Sequence, residues 1–176
     1  MPETLHHLFL EFETRKLQQL MGRIKDCLGR LTNEQIWMRG GDSSNAVGNL
    51  VLHLRGNVRQ WIIASLGGET DIRVRDLEFT KRGGVEGAEL ADSLEGVVKQ
   101  AVGVIAGLTP ERLAERVVIQ KYDVSVLEAV AHVVEHFAQH TGQIIFATKL
   151  LTGEETGYYT HLSGSAPKPD KAGGRP

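Results

Sequence analysis

Residues 125–151 read SVLEAVAHVVEHFAQHTGQIIFATKLL, and the architecture of the chain can be worked out from them. Ser125 at a cap position with Glu128 three residues on makes a capping box, the reciprocal hydrogen-bonding signature of a helix start. No proline interrupts the run and Gly153 follows it, so one long helix is expected to end near Leu151. At about 100° per residue, Leu127, Val130, Ala131, Val134, Ala138 and Ile145 form an apolar arc. Val133, Phe137 and Ile144 widen it on one side. A helix of that length with so broad an apolar face has to be covered by other elements.

Three further segments can cover it. Residues 4–28 carry Leu5, Leu8, Phe9, Phe12, Leu17, Leu20, Met21, Ile24 and Leu28 at helical steps, with Gly29 as a stop. After a short connection and a loop at 40–45, residues 46–66 place Val47, Leu50, Val51, Leu54, Val58, Trp61 and Ile62 on one stripe. Gly48 and Gly56 weaken that helix by roughly 1 kcal/mol each relative to alanine, so tertiary packing has to hold it. Residues 69–85, rich in charge and glycine, read as a long surface connection suited to a crossover. Residues 86–108 form a third helix, a short turn starts at Pro110, and 116–124 hold a brief extended piece. Four long helices with almost no strand signal predict an all-α bundle as a single domain over residues 1–162. Residues 163–176, rich in Pro, Gly, Lys and Ser, are expected to be a disordered tail.

Composition removes several function classes. A net charge of −2 from 20 basic and 22 acidic residues, with no basic block, gives no nucleic-acid surface. No stretch reaches the roughly 18–20 apolar residues of a membrane span, and no secretory signal is expected, since Met1-Pro2-Glu3-Thr4 lacks a basic start followed by an apolar run. Cys27 is the only cysteine, which excludes an intrachain disulfide and suits a cytoplasmic address. It reads as a small buried helix residue.

The histidines are the chemically informative feature. His132, His136 and His140 follow one another at steps of four, so neighbours stand one turn apart on the same helix face. Two imidazoles so placed can reach one cation at about 2.0–2.1 Å. His140 borders the widened apolar edge and His136 lies next to it, whereas His132 falls further round, towards Gln139 and the Glu128/Glu135 side. The pair His136/His140 is therefore the better inward site, and His132 a cavity wall or a hydrogen-bonding support for a ligand. His53 sits on the flank of its own helix's stripe, with Asn57 one turn on. His6, His7 and His161 have no such setting. Glu135 points away from the His136/His140 face and reads as a surface charge. Tyr158 and Tyr159 are candidates for the pocket border, Tyr159 as a support for the ligands, with ordinary packing as the plainer reading.

Residues 49–57, NLVLHLRGN, together with residues 135–144, EHFAQHTGQI, resemble the DinB/YfiT-like superfamily, and within it a bacterial branch of unknown function. The trailing Tyr158-Tyr159-Thr160-His161-Leu162 is similar to how that branch ends. The resemblance implies an up-up-down-down four-helix bundle with a metal near one end, His53 joining His136 and His140 as its ligands. It also implies a homodimer through helix faces, and for some relatives an S-transferase activity with a low-molecular-weight thiol.

Three neutral imidazoles leave a cation its full charge and an open position, the pattern of a catalytic rather than a closed structural site. Zn²⁺ or Ni²⁺ suits such a donor set ahead of Fe²⁺, for which no carboxylate ligand is evident. The expectation is a metal-dependent transferase or hydrolase of unknown substrate, with no catalytic acid or base assigned. The alternatives are a non-catalytic metal- or small-ligand-binding bundle, such as a stress-linked sensor or carrier, and a metal-free structural bundle.

Overall fold

The computed structural model describes residues 4–162. Helices form where the apolar spacing is sustained: α1 (Leu5–Arg30), α2 (Asn33–Trp37), α3 (Val47–Val58), α4 (Arg75–Thr80), α5 (Gly87–Ala106), α6 (Pro110–Ala114) and α7 (Val126–Thr152). Two short strands, β1 (Arg116–Ile119) and β2 (Tyr122–Ser125), precede α7. The long helices α1, α3, α5 and α7 form the expected all-α four-helix bundle, α1 and α3 each packing against both α5 and α7. Leu17, Ile24, Leu54, Leu94, Ile105, Phe137 and Ile144 fill its centre with side chains shut off from solvent.

Hydrogen bonds fix the helix directions. The end of α1 meets the segment after α7 through Arg30 and the Glu155 carbonyl at 3.3 Å, and Gln35 reaches the Leu151 carbonyl at 3.1 Å. At the same end the Gly87 amide donates to Asn33 at 2.9 Å, and Trp37 Nε1 to the Val85 carbonyl at 3.0 Å. So α1 and α7 run towards this end while α3 and α5 run away from it. The expected up-up-down-down order is thereby corrected to up-down-down-up. Connection length is the reason: the former needs two connections spanning the bundle, and here only residues 65–86 do so.

That crossover is not the featureless surface connection expected. It contains α4, which lies back along α3 and buries Glu78. Asn49, wholly buried on α3, anchors it by donating to the carbonyls of Glu78 at 2.8 Å and Lys81 at 3.0 Å. Arg39 adds a bond to the Phe79 carbonyl at 2.8 Å. The two glycines of α3 are contact points. A Cβ on Gly48 would stand 2.9 Å from the Trp37 ring, and one on Gly56 would collide with the Glu78 carboxylate.

Beyond Val58 the helix loosens into a π-helical stretch, Arg59–Ala64, which carries the buried Trp61. The extended piece expected near 116–124 is an antiparallel hairpin with Arg116 opposite Ser125 and Ile119 opposite Tyr122. Gln120 and Lys121 make its turn at φ 50° and 75°. Helix α7 starts with the capping box read in the sequence and stops at Gly153 in the left-handed conformation. Its buried face is turned from the expected arc: Ala138 is exposed, while Thr141 and Thr148 are buried with Val133, Phe137 and Ile144. Each threonine hydroxyl donates to the carbonyl four residues back, at 2.7 and 2.8 Å, which satisfies it inside the core. Cys27 is buried on α1 as expected. The tail at 163–176 lies outside the described residues. Among the described residues no helix is long and apolar enough to cross a membrane.

Candidate metal centre

Helix α3 brings His53, and two successive turns of α7 bring His136 and His140, to one point between the helices. Nε2 of His136 lies 3.1 Å from Nε2 of His53 and 3.1 Å from Nε2 of His140. One donor atom from each of the three lies within 4.8 Å of the others, the spread of a group able to share a cation. The rings meet edge to face, His136 with His53 and with His140. Nitrogen lone pairs therefore converge while the ring faces do not stack.

The far side of two rings is held. His53 Nδ1 stands 2.8 Å from Glu78 Oε2, and His140 Nδ1 2.7 Å from Gln143 Oε1. Glu78 and the Gln143 oxygen are acceptors and stand nearer than the Arg73 guanidinium, which lies 3.2 Å from His53 Nδ1, so the proton belongs on Nδ1 and Nε2 keeps its lone pair for the common point. Glu78 is itself gripped by Arg73, whose Nε donates to Oε1 at 2.7 Å and whose second terminal nitrogen donates to Oε2 at 2.9 Å. The side chains of Arg73 and Glu78 are only 4% and 9% exposed, so this ion pair is nearly dry. Burial raises the Glu78 carboxyl, but hydrogen bonds from Arg73 and His53 outweigh it and hold the group below its ordinary value. It stays ionised as an acceptor for His53.

His136 differs from its neighbours. Its Nδ1 is buried without a hydrogen-bond partner among the described residues. Burial, with His140, His53, His132 and Arg73 around it, pushes its pKa down to about 3. Burial also lowers His140. His136 and His140 are thus neutral imidazoles at physiological pH. With Nδ1 of His53 and of His140 turned to acceptors, three Nε2 atoms face one another. This electron-rich, all-nitrogen set fits a borderline divalent cation.

Beside the histidines opens a cavity of about 400 Å³, lined in part by Asn57, Trp61, Tyr122, His132 and Arg75. Asn57, 4% exposed, has its side-chain oxygen buried without a partner among the described residues. His132 is exposed, and its ring packs on Trp61 at 4.4 Å and lies 5.9 Å from His136. It forms a wall of the cavity and makes no hydrogen bond to the clustered histidines.

The structure does not bring Tyr159 here. Its hydroxyl accepts from Arg23 at 3.1 Å on the flank of α1, and the Tyr158 hydroxyl bonds Asp26 at 2.7 Å beside it. Both tyrosines tie the segment after α7 to α1, the packing role. His6 is occupied with Thr4 at the start of α1, and Glu135 is exposed as read. Of His161, in the turn Thr160–Leu162, the side chain is not described. Sequence reasoning missed Glu78, Arg73 and Gln143. Gln143 was legible as the residue three after His140 on one helix face. The other two sit 25 and 20 residues from His53 with no periodic signal to link them.

Comparison with known proteins bears on the fold. No curated protein sequence matches the chain. A conserved protein from Enterococcus faecalis superposes with a TM-score of 0.68 at 15% identity, over 82% of this chain and 97% of that one. The DinB-like protein YjoA from Bacillus subtilis does so at 0.62 and 12%, covering 82% and 93%. A mutant of a mycothiol-dependent maleylpyruvate isomerase gives 0.55 and 14%, over 77% of this chain and 60% of that one. At such identities the likeness is one of fold, and the fold is DinB-like. The family described as protein of unknown function (DUF1572) matches residues 5–164.

Proposed function

The chain belongs to the DUF1572 family, and we propose that it is a divalent-metal-dependent transferase or hydrolase in which His53, His136 and His140 hold the cation. One observation carries this reading: three Nε2 atoms from two helices converge with the second nitrogens of two rings held by acceptors. Zn²⁺ or Ni²⁺ is the proposed metal, ahead of Fe²⁺, because the donor set is imidazole and Glu78 is spent on His53 and Arg73. When bound, such a cation supplies Lewis acidity and lowers the pKa of a water or thiol beside it.

The chain's own residues do the rest. Glu78 and Gln143 fix which ring nitrogen faces the common point, and Arg73 keeps Glu78 charged and in place. The cavity at Trp61, Tyr122 and His132 receives the substrate against aromatic walls, and Asn57 offers a polar group on its floor. The mycothiol-dependent isomerase among the fold's relatives supports a narrower form of the proposal, S-transfer with a low-molecular-weight thiol. We further propose a cytoplasmic homodimer of a single domain, residues 1–162, supported by the lone buried Cys27 and by Phe146 and Leu150 exposed on α7.

Elemental analysis of untagged protein, followed by a panel of thiol-conjugation and hydrolysis assays, tests the reading. We expect one Zn or Ni per chain, its loss in His136→Ala, and turnover of at least one substrate that requires the metal. Full metal content in His136→Ala would falsify the ligand set. One metal per chain with no accelerated reaction would favour a binding or carrier bundle, and absence of metal a structural one.

A further inference from the structure

A second and larger cavity, about 780 Å³, lies on the other side of the Arg73–Glu78 pair, between the outward face of α3 and the crossover. Its volume falls in the range of small-molecule sites. Two properties set it apart. The first is charge: five cationic side chains line it against one carboxylate, Glu78, in a chain whose net charge is −2. Glu78 is already taken by Arg73 and His53, and Arg59 pairs with Glu69. Arg55 and Lys81 have no ion-pair partner among the described residues, and Arg82 donates only to the carbonyls of Phe79 and Lys81. The second is apolar exposure. Ile72, Val74 and Leu77, from the crossover, are 66%, 58% and 64% exposed and line the same cavity.

We propose that this groove binds a small amphipathic anion, an alkyl or aryl chain ending in a carboxylate. The chain would cover Ile72, Val74 and Leu77, removing from water an apolar patch of a kind that marks binding sites. The carboxylate would meet Arg55, Lys81 and Arg82, cations with no countercharge of their own. A concave groove favours a soluble ligand over a membrane surface, which would call for a protruding apolar face. The site is separate from the histidine cavity, sharing with it only Arg73, so it stands whether or not the histidines hold a metal.

Isothermal titration of the full chain with laurate below its micelle concentration tests this, with hexanoate and dodecyltrimethylammonium alongside. One laurate per chain is expected, with hexanoate at least tenfold weaker and no saturable binding of the cation. Arg55→Glu, Lys81→Glu and Leu77→Asp, each checked for native circular dichroism, should weaken laurate at least tenfold. His136→Ala should leave laurate binding unchanged while altering metal content. The proposal is overturned if laurate does not saturate, if the cationic amphiphile binds equally, or if His136→Ala abolishes binding that Arg55→Glu spares. It is equally overturned if the protein binds anionic vesicles but not free laurate. A dimer that Leu77→Asp splits, with no laurate bound by either form, would assign the groove to a second copy.

Discussion

At the scale of single residues, the centre depends on acceptors behind the histidines as much as on the histidines. Glu78 holds the His53 proton on Nδ1 from 2.8 Å. Glu78→Gln keeps the shape but removes the charge that Arg73 and His53 share, so metal affinity should fall about 10–100-fold, read by competition with a chelating dye. Acidity provides a second readout. His136 has a folded pKa near 3 against an ordinary value of 6.5. The unfolded chain therefore takes up a proton that the folded metal-free site refuses. Stability present above about pH 6.5 should be lost as pH falls towards 3. The depressed Glu78 carboxyl acts in the same sense at lower pH. Urea midpoints of metal-free protein should fall through this window, and His136→Gln should flatten the upper part of the fall. The His136/His140 pair was legible because four-residue spacing on a helix is itself a statement of geometry. His53 needed the resemblance, since one histidine on a stripe's flank has no partner in its own segment. Glu78 and Arg73 were illegible, because a buried ion pair delivered by a crossover looks in sequence like any solvated charges.

At the scale of elements, two features counted as weaknesses of α3 are where other parts of the chain approach it. Gly56→Ala gains about 1 kcal/mol in helix propensity but drives a methyl into the Glu78 carboxylate. It should lower both the melting temperature and metal affinity. Gly48→Ala presses on Trp37, which takes no part in the histidine centre, and should lower the melting temperature with metal affinity unchanged. A Cβ on Gly142 of α7 would meet nothing within 4 Å among the described residues, so Gly142→Ala should stabilise by about 0.5–1 kcal/mol in denaturant titrations. The extent of α7 was readable from its capping box and its terminal glycine. Its rotation was less so, because the helix is apolar on both sides of the true face and Thr141 and Thr148 look polar until their hydroxyls find backbone carbonyls. The hairpin turn at Gln120 and Lys121 lacks the Asn-Gly or Asp-Gly pair that announces positive φ, so in sequence it looks like a plain extended run.

For the whole molecule, class and the four long helices followed from apolar spacing, and the crossover after α3 from the length of that segment. Helix direction did not, because it depends on which ends of the helices meet, and that is fixed by side chains such as Gln35 and Trp37. The same layout has a thermodynamic reading. His136 and His140 are neighbours in any conformation that keeps one helical turn, whereas His53 lies 83 residues from His136 along the chain. Bringing it to the pair in an unfolded chain costs about 4 kcal/mol of loop-closure entropy, beyond a constant. Folding has already met that cost through packing. A cation can therefore bind the unfolded protein through two nitrogens and the native one through three. Metal at 100 times its dissociation constant should raise stability by up to about 2.7 kcal/mol, measured as a shift in melting temperature. His53→Ala should remove most of the shift while residual binding by the helical pair persists. The ion then works as a reversible cross-link, reporting through its own affinity whether the two halves of the chain have met.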